Sequence, residues 1–393
     1  MSKRFNKYLT ITLTVLLCFA FSSKLYSKYT EVYPVPETSN TASDSKIIEP
    51  IKTHNEGNEG HDPSVQNDEE KSQYQQVTTK AKDFTKDVFI NNRLKSTRSQ
   101  QSVLIVSSLA NGNSFGSGRS FEDFVNLIRS LKYDRREVNL AFFCGTQDLY
   151  ESVITETQKM FDQQSESEFG RVTLIRAPFL DSPFKASEHS PKVQRKRRRL
   201  IARARNFILF SALENEPYTL FLDADVEKFD NPEMLEHFIS SGKDIIVPRV
   251  QRGKLMDYDK NSWRGERKTP SPQELEIMDR NEWSKFKFIP KDVPGKMYHL
   301  GDHLKQLKSP QSDPDLARPD YTVELDSVGG AVLFMKSLIF KQGVIFPPYY
   351  IIGTTWQREE GYDGIETEGI CYAAKILGYK CWAMPNMVAQ HVN

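Results

Sequence analysis

Apolar and polar positions along this chain fall into three regimes. From Tyr8 to Ser23, sixteen residues carry no charge, with Lys3, Arg4 and Lys7 before them and Lys24 and Lys28 after. A helix of that length spans about 24 Å, short of a hydrocarbon core of about 30 Å, and flanking lysines can reach out to cover the difference. The pattern predicts a signal anchor over 8–23 behind a cytosolic tail at 1–7. A cleavable signal peptide is the alternative, because Ala20-Phe-Ser-Ser offers small residues near a cut. Residues 31–80 then hold ten acidic and four basic side chains and no Leu, Phe, Trp or Cys. Such a stretch cannot bury a core, so 24–100 is expected to form a disordered stem.

From about residue 101 onward, short apolar runs alternate with amphipathic segments. The periods predict strands at 102–107, 138–143, 172–177, 218–222 and 244–248, and helices at 121–131, 149–161, 192–213 and 232–240. This alternation predicts an α/β domain over 101–393, Rossmann-like, with a mostly parallel sheet covered on both faces. In open sheets of this kind ligands sit beyond the carboxyl ends of the strands. The stretch 251–320 is rich in charge, Pro and Trp without a period, which suggests a lid or an acceptor-binding insertion. Order resumes at Gly329-Gly330 before a strand, and a helix from about 363 stops at Gly378.

Length and composition add bounds. The 393 residues, 38% of them hydrophobic, can build a sizeable core, and 53 basic against 52 acidic side chains leave no global pull toward nucleic acid. Of the four cysteines, Cys18 lies in the predicted anchor, and Cys371 and Cys381 either pair or stay as free thiols. No Cys/His spacing resembles a zinc site.

The chemistry gathers where the run Tyr218-Thr-Leu-Phe-Leu ends in Asp223-Ala-Asp225. Two carboxylates at the end of a buried strand ask for neutralisation, and hard divalent cations beside phosphates are commonly held by one or two carboxylates. The alternative is an acidic pair capping the helix that Asn231-Pro232 opens. In the preceding helix, Arg198 and Arg205 stand seven apart on one face, where guanidinium forks suit a diphosphate. A solvated basic face is the plainer reading. That face carries no aromatic residues to stack bases, which disfavours single-stranded nucleic acid.

These motifs stand in register with others. In order they are Val193-Gln194, Arg197-Arg198, Ala204-Arg205-Asn206, Leu222-Asp-Ala-Asp-Val-Glu227, Asp326-Ser-Val-Gly329-Gly330, Phe346-Pro347, Glu366-Thr-Glu368-Gly369, Met384-Pro385-Asn386 and His391. The set resembles the fungal mannan-polymerase mannosyltransferases, glycosyltransferase family 62, over roughly 101–393. The resemblance implies a GT-A domain that uses GDP-mannose with Mn2+ and extends the α-1,6-mannan backbone of N-glycans. It also implies a single-pass type II Golgi membrane protein with a lumenal catalytic domain, working beside other mannan polymerase subunits. Asp223, Asp225 and His391 match the metal site. Arg198, Arg205, Asn206, Ser107, Leu109, Gly329, Gly330 and Asp326 match positions beside the donor. Glu366 and Glu368 match the acidic pair facing the sugar. The loop Ser107-Ser-Leu109-Ala-Asn111 departs from the family's Thr-Pro form.

The expected reaction is retaining, because an α-linked donor gives an α-linked product. A different class of reading is a catalytically weak subunit that assembles the complex; intact Asp223, Asp225, His391 and Glu366-Thr-Glu368 speak against it. A transferase for UDP-sugars would rest on the Asp-x-Asp alone.

Overall fold

The computed structural model describes residues 73–94, 100–163, 168–182, 191–280, 282, 285, 286, 291–349 and 364–392. The expected tail, anchor and most of the expected stem lie outside the described residues. Among the described residues no helix is long and apolar enough to cross a membrane.

The chain runs β1 (Tyr74–Lys80), β2 (Thr85–Asn91), β3 (Val103–Leu109), α1 (Phe121–Arg129), β4 (Val138–Cys144), α2 (Gln147–Gln163) and β5 (Arg171–Arg176). It continues through α3 (Pro191–Ala212), β6 (Tyr218–Leu222), β7 (Val226–Phe229), α4 (Met234–Ser240) and β8 (Ile245–Gln251). The insertion follows as β9 (Trp263–Arg267), α5 (Pro272–Asp279), β10 (Asp292–His299) and α6 (Leu300–Leu307). The last part is β11 (Val323–Leu325), β12 (Val332–Lys336), α7 (Ser337–Lys341), α8 (Thr367–Ile376) and β13 (Cys381–His391).

One sheet of eleven strands dominates, in the order β1-β2-β5-β4-β3-β6-β12-β8-β13-β11, with β7 also on β13. Only β5-β4-β3-β6 and β8-β13 are parallel pairs. The sheet is therefore mixed, not mostly parallel as expected. The reason lies at the carboxyl end of β6. The chain returns from the insertion there, so Val332 starts β12 opposite Leu222 and must run antiparallel to both β6 and β8.

A second correction concerns the stem. β1 and β2 form a hairpin whose β2 pairs with β5, and Phe89 is fully buried between Tyr74 and Phe161. Of the alternate residues, Val88 is half-buried and Ile90 exposed, so β2 reads weakly as a strand in sequence, although 74–91 belongs to the folded domain.

Strand alternation divides the core in two. Val103, Ile105 and Leu109 of β3 pack with Phe121, Phe124, Phe142 and Phe161 under α1, α2 and α4. Leu104 and Val106 pack on the other face with Ile208, Leu209, Phe221, Phe340 and Phe346 under α3, α7 and α8. α1 begins with a capping box. The Ser120 hydroxyl accepts from the Asp123 N–H at 3.2 Å, and Asp123 accepts from the Ser120 N–H at 2.8 Å.

The insertion is more ordered than its composition suggests. β9 and β10 form a separate two-stranded ribbon. The Trp263 N–H donates to the Ser327 carbonyl at 3.2 Å, and the Trp263 carbonyl accepts from Asp326 and Ser327 at 2.9 and 3.1 Å. Cys371 of α8 and Cys381 of β13 form a disulfide with their Cα atoms 5.9 Å apart. Cys144 is free and buried, and burial pushes its thiol up to about 12.

Candidate functional site

β6 ends at Leu222 and turns through Asp223-Ala224-Asp225 into β7. The turn is fixed from three sides. The Asp223 N–H donates to the Ala331 carbonyl at 2.9 Å, Arg119 Nη1 donates to the Ala224 carbonyl at 3.1 Å, and the Val392 N–H donates to the Asp225 carbonyl at 2.9 Å. Val392 can pass this close because Gly116, at φ +89°, has no side chain; a Cβ there would stand 2.9 Å from the valine methyl. The chain's last strand is thereby pinned beside its Asp-x-Asp turn.

The two aspartates have different partners. Asp225 Oδ2 lies 3.1 Å from His391 Nε2, while Asp225 Oδ1 is buried and has no hydrogen-bond partner among the described residues. The His391 Nδ1 is 2.8 Å from the Val392 carbonyl, an acceptor, so Nδ1 carries a proton, and the protonated ring also donates from Nε2 to Asp225 Oδ2. The Tyr258 ring packs on the imidazole with centroids 4.7 Å apart. Burial alone would lower the His391 pKa, but the hydrogen bond and charge of Asp225 outweigh it and the net shift is upward.

Asp223 Oδ1 accepts from Arg205 Nη2 at 2.9 Å. Burial pushes the Asp223 carboxyl up to about 7; Arg205 pulls it down, and the charges of Asp225, Glu366 and Asp259 add to the rise. Arg205 is 4% exposed. Its Nη2 also donates to the Gly330 carbonyl at 3.0 Å, its Nε is 3.5 Å from Glu366, and its Nη1 has no partner among the described residues. Phe221 and Phe346 flank the guanidinium at 5.8 and 5.5 Å from their ring centroids. A low-dielectric surround of this kind strengthens the pairs Arg205 makes and penalises their loss.

The Glu366-Thr-Glu368 start of α8 stands behind Arg205. Arg198 Nη2 donates to Glu368 Oε2 at 3.0 Å and to the Ile365 carbonyl at 2.6 Å, and Arg198 Nε is 3.5 Å from Glu366 Oε2. Arg267 of β9 donates to Glu368 Oε1 at 3.2 Å. The predicted residues Asp223, Arg205, Glu366, Arg198 and Glu368 thus form one connected network, and the Asp225–His391 pair stands beside it on the same turn.

Others of the predicted set have different employment. Ser107 supports the turn from below, its hydroxyl donating to the Leu222 carbonyl at 2.6 Å. Leu109 is fully buried in the core because its strand position points under α1, so the structure does not bring it to this network. Both amide atoms of Asn206 are engaged by the Phe346 backbone, at 2.7 and 2.9 Å, where they hold Phe346 against Phe221. Asp326 accepts from the Gly265 N–H at 2.9 Å and serves the insertion ribbon. Gly329 and Gly330 admit close neighbours, but the neighbours are protein. A Cβ on Gly329 would collide with the Asp259 carboxylate, and one on Gly330 would stand 2.9 Å from Arg205 Nη1.

Asp259, Tyr258, Arg267 and Arg119 escaped the sequence reading. Asp259 accepts from the Gly330 N–H at 2.8 Å and the Asn261 N–H at 3.3 Å, a short-range turn whose only sequence trace is the spacing Asp259-Lys-Asn261. Arg267 is one of many charges in an aperiodic segment and carries no signal of its own.

Among the described residues no three His, Cys, Asp or Glu side chains converge in a metal-holding arrangement. The Asp225 and His391 atoms nevertheless suit a cation, since Asp225 Oδ1 is buried without a partner among the described residues and His391 Nε2 lies 3.1 Å from Asp225 Oδ2, where a cation can take the place of the shared proton.

Comparison with known proteins agrees on the family. The Mannan polymerase II complex anp1 subunit of Schizosaccharomyces pombe is 27% identical over 313 residues, 75% of this chain and 64% of that protein. The Vanadate resistance protein of Candida albicans is 28% identical over 294 residues, 68% of this chain and 59% of that protein. The Mannan polymerase complex subunit MNN9 of Candida albicans is 26% identical over 289 residues, 68% of this chain and 70% of that protein. The chain spans less than two thirds of the length of the first two of these relatives. Among solved structures, the Mannosyltransferase PcManGT from Pyrobaculum calidifontis in complex with GDP-Man and Mn2+ gives a TM-score of 0.36 at 11% identity, over 75% of this chain and 57% of that one. The Anp1 family model matches residues 85–350, more than half of the chain, and this chain belongs to the Anp1 family.

Proposed function

We propose that the chain is a retaining, metal-dependent α-mannosyltransferase of the GT-A type. It transfers mannose from GDP-mannose to an α-1,6-mannan backbone on N-glycans. It acts as a subunit of a mannan polymerase complex, held in the Golgi membrane with this domain in the lumen. Relatives that are named mannan polymerase subunits support the substrate class. The observation that carries the catalytic reading is the corner of Asp225 and His391, where one buried carboxylate oxygen has no partner among the described residues and the other lies 3.1 Å from the imidazole Nε2.

Asp225 and His391, with Asp223 beside them, would hold the divalent cation, Mn2+ in this reading. When bound, the cation supplies Lewis-acid charge for a departing diphosphate. Arg205 adds fixed positive charge whose direction is already set by Phe221 and Phe346, so little reorganisation accompanies charge development. Glu366 and Glu368 form the wall opposite that charge, where a carboxylate stabilises positive charge growing at the anomeric carbon. Their ion pairs with Arg198, Arg205 and Arg267 reduce their nucleophilicity, which favours front-face transfer over a glycosyl-enzyme adduct. In that step the bond from C1 to the diphosphate breaks, the acceptor oxygen bonds C1 on the same face, and its proton passes to the departing diphosphate oxygen.

The test is transfer from GDP-mannose to α-1,6-mannobiose by the full chain in detergent, with and without Mn2+, beside Asp225→Ala. We expect metal-dependent transfer that falls at least about 100-fold in the variant. Absence of transfer, together with clear thermal stabilisation by GDP, would sink the enzymatic reading and favour a subunit that assembles the complex.

A further inference from the structure

The two glutamates at the start of α8 are unequal. Glu368, 6% exposed, has each carboxylate oxygen taken by a guanidinium N–H: Oε2 by Arg198 at 3.0 Å and Oε1 by Arg267 at 3.2 Å. Among the described residues, the carboxylate of Glu366, 7% exposed, meets the Nε atoms of Arg198 and Arg205, both at 3.5 Å, too long for strong hydrogen bonds. Glu366 also has φ +64° and ψ −130°, the only positive φ of a non-glycine residue among the described ones. Such a conformation costs about 1–3 kcal/mol and persists only where the surroundings enforce it. Here the Glu366 N–H donates to the Pro347 carbonyl at 2.9 Å, and its carbonyl accepts from the Gly369 N–H at 3.1 Å.

Arg267 reaches this corner from the insertion. Its guanidinium lies 4.4 Å from the centroid of the buried Trp263 ring, so stacking sets its direction before it meets Glu368. Trp263 is itself tied by backbone bonds to Asp326 and Ser327, just before β12. The ribbon, the Gly329-Gly330 edge and α8 are thus joined through one side chain.

Building on the transferase reading, we infer that the two glutamates have divided roles and that Arg267 divides them. Glu366 is the carboxylate that meets the transferred hexosyl group at its anomeric end. Arg267 is a positioning residue that, with Arg198, locks Glu368 and thereby holds the strained turn that presents Glu366. The insertion supplies the back of the catalytic site in addition to any role in acceptor binding.

The experiment compares Glu366→Gln, Glu368→Gln, Arg267→Gln and the Arg267→Gln/Glu368→Gln double variant in the full chain. GDP affinity, GDP-mannose affinity, kcat and melting temperature are each measured. Glu366→Gln should lose the sugar-dependent part of donor affinity and about 100-fold in kcat, with GDP affinity and melting temperature unchanged. Arg267→Gln and Glu368→Gln should each lower melting by about 5 °C and kcat by about tenfold at unchanged donor KM. The double variant should regain most of the melting loss, because it leaves no buried charge without a partner. Loss of transfer in Glu368→Gln at unchanged melting would reverse the assignment, and additive losses in the double variant would remove Arg267 from the support. If the wild-type chain binds GDP-mannose no better than GDP, the transferase reading fails by itself. The melting cycle then still decides whether Arg267 holds Glu368.

Discussion

The two acidic corners of the site hold similar residues under opposite electrostatics. At the 366/368 corner, two carboxylates are met by Arg198, Arg205 and Arg267. At the 223/225 corner, two carboxylates share Arg205 alone with His391, and Asp225 Oδ1 is left buried without a partner among the described residues. Burying an ion costs several kcal/mol unless geometry and hydrogen bonds compensate it. The chain compensates its first corner internally more than its second, where burial first, and then the charges of Asp225, Glu366 and Asp259, push the Asp223 carboxyl up to about 7 against the pull of Arg205. In the proposed reading that second corner is where the cation binds.

Arg205 touches both corners, Asp223 at one and Glu366 at the other, so removing it breaks the comparison hardest. Arg205→Ala should cost about 3–5 kcal/mol in urea denaturation, because Glu366 would stay buried with one partner fewer and half-exposed Asp223 would lose its guanidinium. Arg205→Lys should recover part of this, since the charge survives but the fork that reaches Asp223 and Gly330 together does not. A loss below about 1 kcal/mol in Arg205→Ala would mean that the corners are energetically independent.

How much of this was legible in the sequence differs between the two halves of the sheet. The strands around β3, β4, β5 and β6 are buried on both faces and separated by amphipathic helices, so their apolar runs announced them nearly to the residue. β12 was visible as the strand after Gly329-Gly330, but its antiparallel direction, like β13, needed knowledge of where the insertion returns, which no local period encodes. β1 is exposed along nearly its whole length and Thr-rich, and its membership in the sheet rests on pairing with β2. Within the site, Asp223 and Asp225 were visible because charge stops an apolar strand abruptly. Asp259 and Arg267 were not, because their roles come from tertiary contacts across 71 and 101 residues of sequence. The glycine pair, which the resemblance matches to positions beside the donor, is instead closely approached by Asp259 and Arg205.

The Cys371–Cys381 bridge joins the helix that starts with the acidic pair to the strand that ends at His391. Closing a loop of this length removes unfolded-state entropy amounting to about 2–3 kcal/mol. Cys371→Ala/Cys381→Ala should therefore lower the melting temperature by a few degrees while leaving Mn2+ affinity within about twofold, because Val392 and Gly116 hold His391 separately. A tenfold loss of Mn2+ affinity at modest destabilisation would show that the bridge, and not the 110–120 loop, sets the position of His391.

The finest test of the contrast is its pH dependence without metal. The Asp223 pKa is raised from 3.8 to about 7 in the folded chain, so between those values the folded state binds more protons than the unfolded one. Stability from this group is then greatest at acid pH and is lost as pH rises toward 7. His391 acts in the same direction, since its pKa is also raised on folding and its contribution fades as pH climbs through the folded value. In metal-free buffer, the melting temperature of the wild-type chain minus that of Asp223→Asn should therefore fall from pH 4 to pH 7. Saturating Mn2+ should reverse the slope, because a cation competes with protons for the same oxygens and its binding strengthens as they leave. A wild-type advantage that grows with pH in the absence of metal would mean that Arg205 alone satisfies Asp223, and the asymmetry between the corners would disappear.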